Sequence, residues 1–456
     1  MIRKPFVNRK NELSSLKNHH AREGFEFIVI TGRRRVGKTR LLQEFSKGKK
    51  CIFLMCEERK WRYNLDKFNR IIGDFFNIPT PNFKSFRDCF EYIANDEKTI
   101  VIIDEFSYLM KNKDIIGEFQ GIVDEILSDK DHTLILSGSA VSMMKKSVLS
   151  QRSPLYGRTT AQLNLRPLKF SHLSEWFQGV DMEDIIKIFG VADSIPKYLE
   201  FFKGKNVNSE IKQNLFSPDA FLFREAKMLL EEELREPETY YQILEAISFG
   251  HTRTTDIANH SYMEAKNVSS YLNILEDLGF VEKEISILDS RRKRGLYKIK
   301  DNYFKFWFRF VSPYFTEIEN WQGQGAINEF NRSFDRYLGS VFEDVCRELL
   351  RTSGRWHKLG RWWYKEDEID IVGLNEREDT ILFGECKWSK KKVGLNLLDE
   401  LKEKSVKVRW KNETRKEVFY LFSRSGFTQE LISHSEKGDN LNLFSPKDSP
   451  MTMMEF

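Results

Sequence analysis

One eight-residue segment constrains this chain more than any other. Gly32-Arg33-Arg34-Arg35-Val36-Gly37-Lys38-Thr39 follows an apolar, β-rich run at 25–31 and precedes a helical pattern at 40–47. A GxxxxGK[ST] loop between a strand and a helix is built to hold phosphate. Gly32 and Gly37 let the backbone curl so that its N–H groups face phosphate oxygens, and the helix N-terminus adds a favourable dipole. Lys38 is placed to reach the β- and γ-phosphates of ATP, and the Thr39 hydroxyl to ligate Mg²⁺. All eight residues are therefore expected to contact the nucleotide.

The loop needs a partner element, and 100–105 supplies it. The apolar run Ile-Val-Ile-Ile ends in Asp104-Glu105. A strand ending in acid brings Asp104 beside the Mg²⁺ shell, and Glu105 is placed to polarise the attacking water. Further β-like runs at 51–55, 99–103 and 133–137 alternate with helical patterns such as 84–95 and 115–129. Buried-type strands alternating with helices predict a parallel sheet of α/β type.

Composition sets the outer limits. A chain of 456 residues has a prior of about three domains. It is 40% apolar and 31% charged, with 73 Lys+Arg against 68 Asp+Glu. This excludes a wholly disordered chain and a histone-like polycation, while leaving room for local basic patches. No apolar run approaches the ~18–20 residues of a membrane span. Residues 1–16 carry charge without an apolar core, unlike a secretory signal. The five cysteines are scattered and form no CxxC pair, so the expectation is a reducing, cytoplasmic setting.

Phe6-Val-Asn-Arg9-Lys-Asn-Glu12-Leu13, the two nucleotide-site elements and Leu136-Ser-Gly-Ser139 resemble the archaeal-type ATPase family, a branch of the AAA-like P-loop ATPases. Pro154-Leu-Tyr-Gly157-Arg158, followed by Leu165-Arg-Pro167-Leu-Lys-Phe170, extends the resemblance. It implies that Ser139 senses the γ-phosphate. It also implies that Arg158 is a finger arginine, acting within the chain or on a neighbouring subunit's nucleotide in a homo-oligomer. An ordinary turn serine and a surface arginine are the competing readings of these two residues. The family's lid carries Gly-Gly-x-Pro. Here the stretch reads Gly190-Val-Ala192-Asp193-Ser194-Ile-Pro196, which departs from that pattern.

Residues 166–236 read as mostly helical. Helical segments at 238–249, 252–260 and 263–279 then precede short strands at 280–287 and 295–299, the order of a winged helix-turn-helix. Lys266, Asn267, Ser270 and Asn273 lie opposite the apolar face of the third helix and suit base edges and phosphates. Arg291-Arg292-Lys293-Arg294 crowns the predicted wing tip. Across 286–310, eight Lys/Arg stand against two acids. DNA contact is the expectation. A winged helix also serves as a protein–protein module, and that alternative stays open.

After an aromatic-rich connector at 301–340, the pattern returns to helix, strand, strand, helix, strand. Glu343 sits on the helix, Asp370 on the first strand, and Glu385-x-Lys387 at the end of the second. Two carboxylates and a lysine suit a Mg²⁺ site that activates water against a phosphodiester. The order Glu…Asp…Glu-x-Lys resembles the PD-(D/E)xK nuclease superfamily. The pattern from Trp362-Trp363 to Trp388 also resembles the domain of unassigned function often fused to archaeal ATPases. These resemblances imply Glu343, Asp370 and Glu385 as metal ligands, and Asp370, Glu385 and Lys387 as catalytic. Ordinary cross-strand Glu/Lys pairing, or an inactive nuclease fold that only binds DNA, are the alternatives. Residues 385–417 hold eleven Lys/Arg against six acids, which favours a polyanionic partner.

The sequence thus predicts an α/β multidomain chain. Its parts are a P-loop NTPase (AAA-like) core at 1–165, a helical lid at 166–236, and a winged helix at 237–305. A connector and a restriction-endonuclease-like α/β domain follow at 306–456. ATP, Mg²⁺ and DNA are its expected ligands. A nucleotide-dependent switch that assembles with protein partners is the alternative.

Overall fold

The computed structural model describes residues 6–112, 114–289, 295–438 and 440–447. It divides into two compact units. One comprises Phe6–Leu168 together with Ile195–Lys197; the other comprises Lys169–Ser194 and the chain from Tyr198 onward. Apart from 166–168 and 195–197, which belong to the first unit, the described residues read as lid, winged helix and C-terminal domain fall within the second unit.

The first unit is a five-stranded sheet in the order β2-β3-β4-β1-β5. Its strands are β1 (Glu26–Thr31), β2 (Cys51–Met55), β3 (Ile100–Asp104), β4 (Thr133–Gly138) and β5 (Ala161–Asn164), and every pairing is parallel. The three inner strands are buried at every position, whereas edge strands β2 and β5 alternate. A strand covered on both faces must be apolar throughout, which is why EFIVIT, IVIID and TLILSG carry so few polar residues. Side chains alternate along each strand. Phe27 and Val29 therefore join one core with Phe68, Phe90 and Phe119, while Ile28 and Ile30 join a second with Leu41, Leu42 and Phe45.

Helices α1 (Lys10–His20), α2 (Lys38–Ser46), α3 (Trp61–Phe76), α4 (Phe86–Ile93), α5 (Asp114–Gly121) and α6 (Val141–Met144) complete this unit. The start of α4 is fixed by a capping box. The Ser85 hydroxyl accepts from the Asp88 amide, and the Asp88 carboxylate accepts from the Ser85 amide; such a cap contributes about 1 kcal/mol.

The second unit begins with α7 (Leu173–Trp176) and α8 (Met182–Ala192). After the short α9 (Pro196–Leu199) come α10 (Val207–Leu215) and α11 (Phe221–Glu233). Helices α12 (Pro237–Ser248), α13 (Thr254–His260) and α14 (Ala265–Leu278) lead into an antiparallel ribbon, β6 (Val281–Glu284) and β7 (Leu296–Ile299).

Residues 301–340, read from sequence as a connector, instead build a core. They form α15 (Asn302–Phe306), α16 (Phe315–Glu319) and the first half of the 29-residue α17 (Gln324–Thr352). Trp307 and Tyr303 are fully buried. Each satisfies its polar tip on α11: Trp307 donates to the Phe223 carbonyl and Tyr303 to the Leu222 carbonyl, both at 2.7 Å. Buried aromatics with matched polar tips are packing elements, not linkers.

The rest of the unit is a sheet in the order β12-β11-β10-β9-β8. It contains β8 (Lys358–Tyr364), β9 (Asp367–Asn375), β10 (Thr380–Lys387), β11 (Lys416–Ser423) and β12 (Leu441–Phe444), with α18 (Leu395–Ser405) and α19 (Gln429–Ser435). Strands β8, β9 and β10 run antiparallel, whereas β10, β11 and β12 run parallel.

The segment just after β6, between the ribbon's two strands, is fastened to edge strand β8. The Ile287 amide donates to the Arg361 carbonyl at 2.8 Å, and the Trp363 amide to the Ser286 hydroxyl at 3.1 Å. Ile287 is buried in the sheet's apolar core beside Trp362 and Ile369.

Candidate functional site

Strands β3, β4 and β1 are neighbours and parallel, so their C-terminal ends share one edge of the sheet. Ligand sites of open α/β sheets form at that edge. The loop after β1, the acid pair after β3 and Ser139 after β4 meet there.

Lys38 is buried. Its ammonium donates to the Gly32 carbonyl at 2.8 Å, to the Arg33 carbonyl at 3.2 Å and to the Ser139 hydroxyl at 2.7 Å. Thr39 Oγ1 donates to Asp104 Oδ2 at 2.5 Å. Asp104 is fully buried, and its other oxygen accepts from the Glu105 amide. Glu105 adopts a left-handed backbone with φ 54°. It turns its carboxylate onto Ser139, accepting from both the amide and the hydroxyl of that residue. The motif side chains thus form two hydrogen-bonded groups, Lys38–Ser139–Glu105 and Thr39–Asp104, joined through the Glu105 backbone amide. Paired hydroxyl and carboxylate oxygens are hard donors of the kind Mg²⁺ takes, so Thr39 and Asp104 fit that ion.

Glycine is required at both ends of the loop. A Cβ on Gly32 would lie 2.5 Å from the Leu165 carbonyl oxygen, and Gly37 has φ 95° as it caps α2. Between them, Val36 is buried, Arg35 is left-handed at φ 71°, and Arg34 donates to the Tyr108 hydroxyl at 3.2 Å.

Sequence reading left Arg9 without a role. It is buried and donates to the Val36 carbonyl at 3.0 Å, the Arg166 carbonyl at 2.7 Å and Glu12 at 3.1 Å. One guanidinium therefore ties the N-terminal segment, the phosphate loop and the exit from β5. Its only sequence signal was membership of the Phe6–Leu13 motif. Arg158, expected as a finger, is engaged within its own chain. It pairs with both oxygens of Asp124 at 2.6 and 2.7 Å and donates to the Pro154 carbonyl. Presentation to another nucleotide would require releasing that bidentate pair.

In the second unit, Ile371 of β9 pairs with Gly384 of β10, which brings the adjoining Asp370 and Glu385 together. Lys387 Nζ lies 2.9 Å from Glu385 Oε1. Lys404 of α18, absent from the sequence expectation, approaches the same oxygen at 3.6 Å. Only 6% of the Glu385 side chain is exposed, and its Oε2 has no hydrogen-bond partner. Burial, then the Glu385 charge, pushes the Asp370 carboxyl up to about 6. Burial, then Asp370, pushes Glu343 on α17 up to about 7.

Among the described residues, however, no three or more His, Cys, Asp or Glu are grouped to hold a metal ion. The expected Glu343–Asp370–Glu385 ligand set is not assembled. Asp370 Oδ2 is taken up by the Cys386 amide at 2.9 Å, and Glu385 Oε1 by the two lysines.

Glu343's neighbour Asp344 anchors a larger ionic network. Lys298 lies 3.1 to 3.4 Å from Glu282, Glu284 and Asp344, and Arg347 reaches Asp344 at 3.0 Å and Glu284 at 3.4 Å. Arg361 pairs with Glu284 and Glu368.

This network corrects the basic patch counted over 286–310. Lys298 serves three acids, Lys305 donates to the Ser340 hydroxyl at 2.8 Å, and Arg309 pairs with Glu329 at 3.2 Å. Arg291, Arg292, Lys293 and Arg294 lie outside the described residues. Lys266, Asn267, Ser270 and Asn273 are exposed on α14 as expected. Even so, Lys266 pairs with Glu264 at 2.7 Å and Ser270 bonds the Asn267 carbonyl. Residues 237–279 carry six acids (Glu238, Glu245, Asp256, Glu264, Glu276, Asp277) against Arg253 and Lys266. In 385–417, Lys407, Lys411 and Arg415 are paired with Asp367, Asp379 and Glu417. Lys390, Lys391 and Lys392, just past the end of β10, are exposed.

Comparison with known proteins gives this geometry a family. Residues 6–202 match an ATPase domain found predominantly in Archaea, and residues 307–415 match archaeal and bacterial proteins of unknown function, DUF234. An uncharacterised Methanocaldococcus jannaschii protein, MJECL04, is 37% identical over 424 residues, spanning 90% of this chain and 91% of the relative. An uncharacterised ATP-binding protein of the same organism, MJ0423, is 47% identical over 45 residues, 10% of this chain and 76% of that protein. The Walker-type ATPase PABY2304 of Pyrococcus abyssi shares the fold at 21% identity and a TM-score of 0.51, covering 67% of this chain and 96% of that one. No described helix is long and apolar enough to cross a membrane.

Proposed function

The chain belongs to the archaeal ATPase family represented by its Methanocaldococcus jannaschii relative, and from that premise we propose that this ATPase acts on DNA through its C-terminal unit. Lys38 holds the β- and γ-phosphates, and Ser139 reports the γ-phosphate to Glu105. Glu105 then orients and deprotonates the attacking water. Mg²⁺, held by Thr39 and Asp104, would neutralise phosphate charge. Lys38→Ala should abolish nucleotide binding, and Glu105→Gln should bind ATP without turning it over. A Glu105→Gln protein with normal turnover would remove Glu105 from that role.

The observation that carries DNA action is the exposed Lys390–Lys392 run directly after β10, the strand of Glu385 and Lys387. Consecutive exposed cations suit a phosphate backbone. The order of α17, three antiparallel strands, α18 and a parallel strand supports a PD-(D/E)xK-like domain. Because one oxygen of Asp370 is taken by a backbone amide, one oxygen of Glu385 by two lysines, and no group of three such ligands is assembled among the described residues, we read it as a domain that binds DNA and not as a preformed metal site. The test is an assay of binding and of Mg²⁺-dependent cleavage on several DNA forms. Binding without cleavage is expected. Cleavage lost in both Asp370→Ala and Lys387→Ala would make the domain a live nuclease instead.

A second reading applies to α12–α14 with β6 and β7, which we take as a winged helix. The acidic surplus over 237–279 disfavours a polyanion there and favours a protein partner. On this reading the chain is also a nucleotide-dependent switch.

A further inference from the structure

A cavity of about 730 Å³ opens between α12, α13 and the turns that follow them. It is lined by Gln242, Glu245, His251, Asp256, Asn259, His260 and Tyr262. Its position follows from the local chain. Gly250, at φ 92°, ends α12 and swings His251 back so that its amide meets the Ala246 carbonyl at 3.1 Å. The His251 and His260 rings then stack with centroids 4.5 Å apart and planes tilted by 32°. Phe249, itself 45% exposed, flanks His260 at 6.2 Å. On the other rim Tyr262 is 98% exposed and held in a left-handed turn with φ 54°. A bulky aromatic so placed gains nothing from the core of its own unit, and exposed aromatics at a concave, polar-lined site mark recognition surfaces.

The lining discriminates between ligand classes. Glu245 and Asp256 are its charged residues apart from the two imidazoles, and the surrounding helices carry the acidic surplus described above. Two carboxylates repel phosphate, so a nucleic-acid backbone is a poor occupant. A guanidinium fits all three features at once. Its plane stacks on imidazole or phenol rings, its N–H fork meets carboxylates, and its remaining donors meet the amide oxygens of Gln242 and Asn259. We propose that this cavity is a docking site for a protein partner and receives an arginine side chain presented by that partner. Tyr262 and the His251–His260 pair are the stacking faces, and Glu245 and Asp256 the counter-charges. None of its lining residues belongs to the ATP-site motifs or to β10, so the proposal does not rest on the DNA reading.

The full-length chain with labelled histidines tests this, titrated with N-acetyl-arginine methylamide, its glutamate counterpart and a short DNA duplex. Saturable movement of the His251 and His260 ring signals by the arginine compound alone is expected. The movement should fall several-fold in Glu245→Gln/Asp256→Asn and in Tyr262→Ala; Asp256 and Tyr262 are exposed and Glu245 is half-buried, and the folding of each variant is checked by an unchanged denaturant midpoint. No movement, equal movement with the glutamate compound, or movement undiminished in the variants would overturn the proposal. Movement with duplex alone would overturn it in favour of DNA.

Discussion

The Lys38 ammonium lies 2.7 Å from the Ser139 hydroxyl, although 101 residues separate the two in the chain. Ser139 in turn holds Glu105 by its amide and hydroxyl. Lys38 and Glu105, to which we assign phosphate binding and water activation, therefore share one serine. On the proposed mechanism, phosphate engaging Lys38 would take a donor from the Ser139 hydroxyl and so change its hold on Glu105. Ser139→Ala should bind ATP nearly as tightly as the parent while turnover falls about 10- to 1,000-fold, the range for losing one aligned donor. Equal losses in binding and turnover would show that Ser139 only supports the loop.

At Gly32 the phosphate loop has no space for a side chain. In Gly32→Ala the new methyl would meet the Leu165 carbonyl at 2.5 Å, and backbone on both sides must move. A loss of about 1–3 kcal/mol in denaturant stability is expected, with ATP affinity lowered as well. An unchanged melting curve together with full ATP binding would contradict the loop geometry.

Asp344 gives the second unit a specific acid response. Burial alone would raise its carboxyl, but Lys298, Arg347 and Lys305 outweigh burial and hold it at about 2, below its ordinary 3.8. A depressed folded value means that the stabilisation is present above pH 4 and is lost as pH falls through about 2. Asp344→Asn should cost about 1–3 kcal/mol near neutrality, less than a fully buried pair because the side chain is one-third exposed. The difference from the parent should shrink between pH 4 and 2. Denaturant midpoints at several pH values measure it, and a difference independent of pH would exclude the ionic explanation.

Lys390, Lys391 and Lys392 should govern the salt dependence of DNA binding. Replacing all three by Gln should weaken binding to every duplex sequence and reduce the slope of log affinity against log salt by about 2–3. The same slope in parent and variant would move the DNA contact elsewhere.

The ATP site was legible because its chemistry is local. Strand, loop and helix are contiguous at 25–47, and Asp104-Glu105 ends its own apolar run. Charge counting fared worse because it cannot see pairing across long separations. Lys298 looked like part of a basic wing, yet its partner Asp344 is 46 residues away; Arg309 is neutralised by Glu329 on another helix. Lys404 escaped notice for a related reason: α18 brings it back to Glu385 through a turn that no spacing rule encodes. Asp370 and Glu385 lie on the paired strands β9 and β10. What the sequence could not specify was that the Cys386 amide takes one oxygen of Asp370 and two lysines take one oxygen of Glu385. The aromatic stretch at 301–340 had the composition of a core, and the absence of a clean helical period there concealed it.

The most direct test of an ATPase that acts on DNA is its steady-state ATP turnover as duplex DNA is added at low and at physiological salt. Turnover should rise with DNA, the rise should be smaller at the higher salt, and it should disappear in the Lys390/Lys391/Lys392→Gln protein while basal turnover persists. Turnover that stays flat at every DNA concentration and both salts would contradict the account.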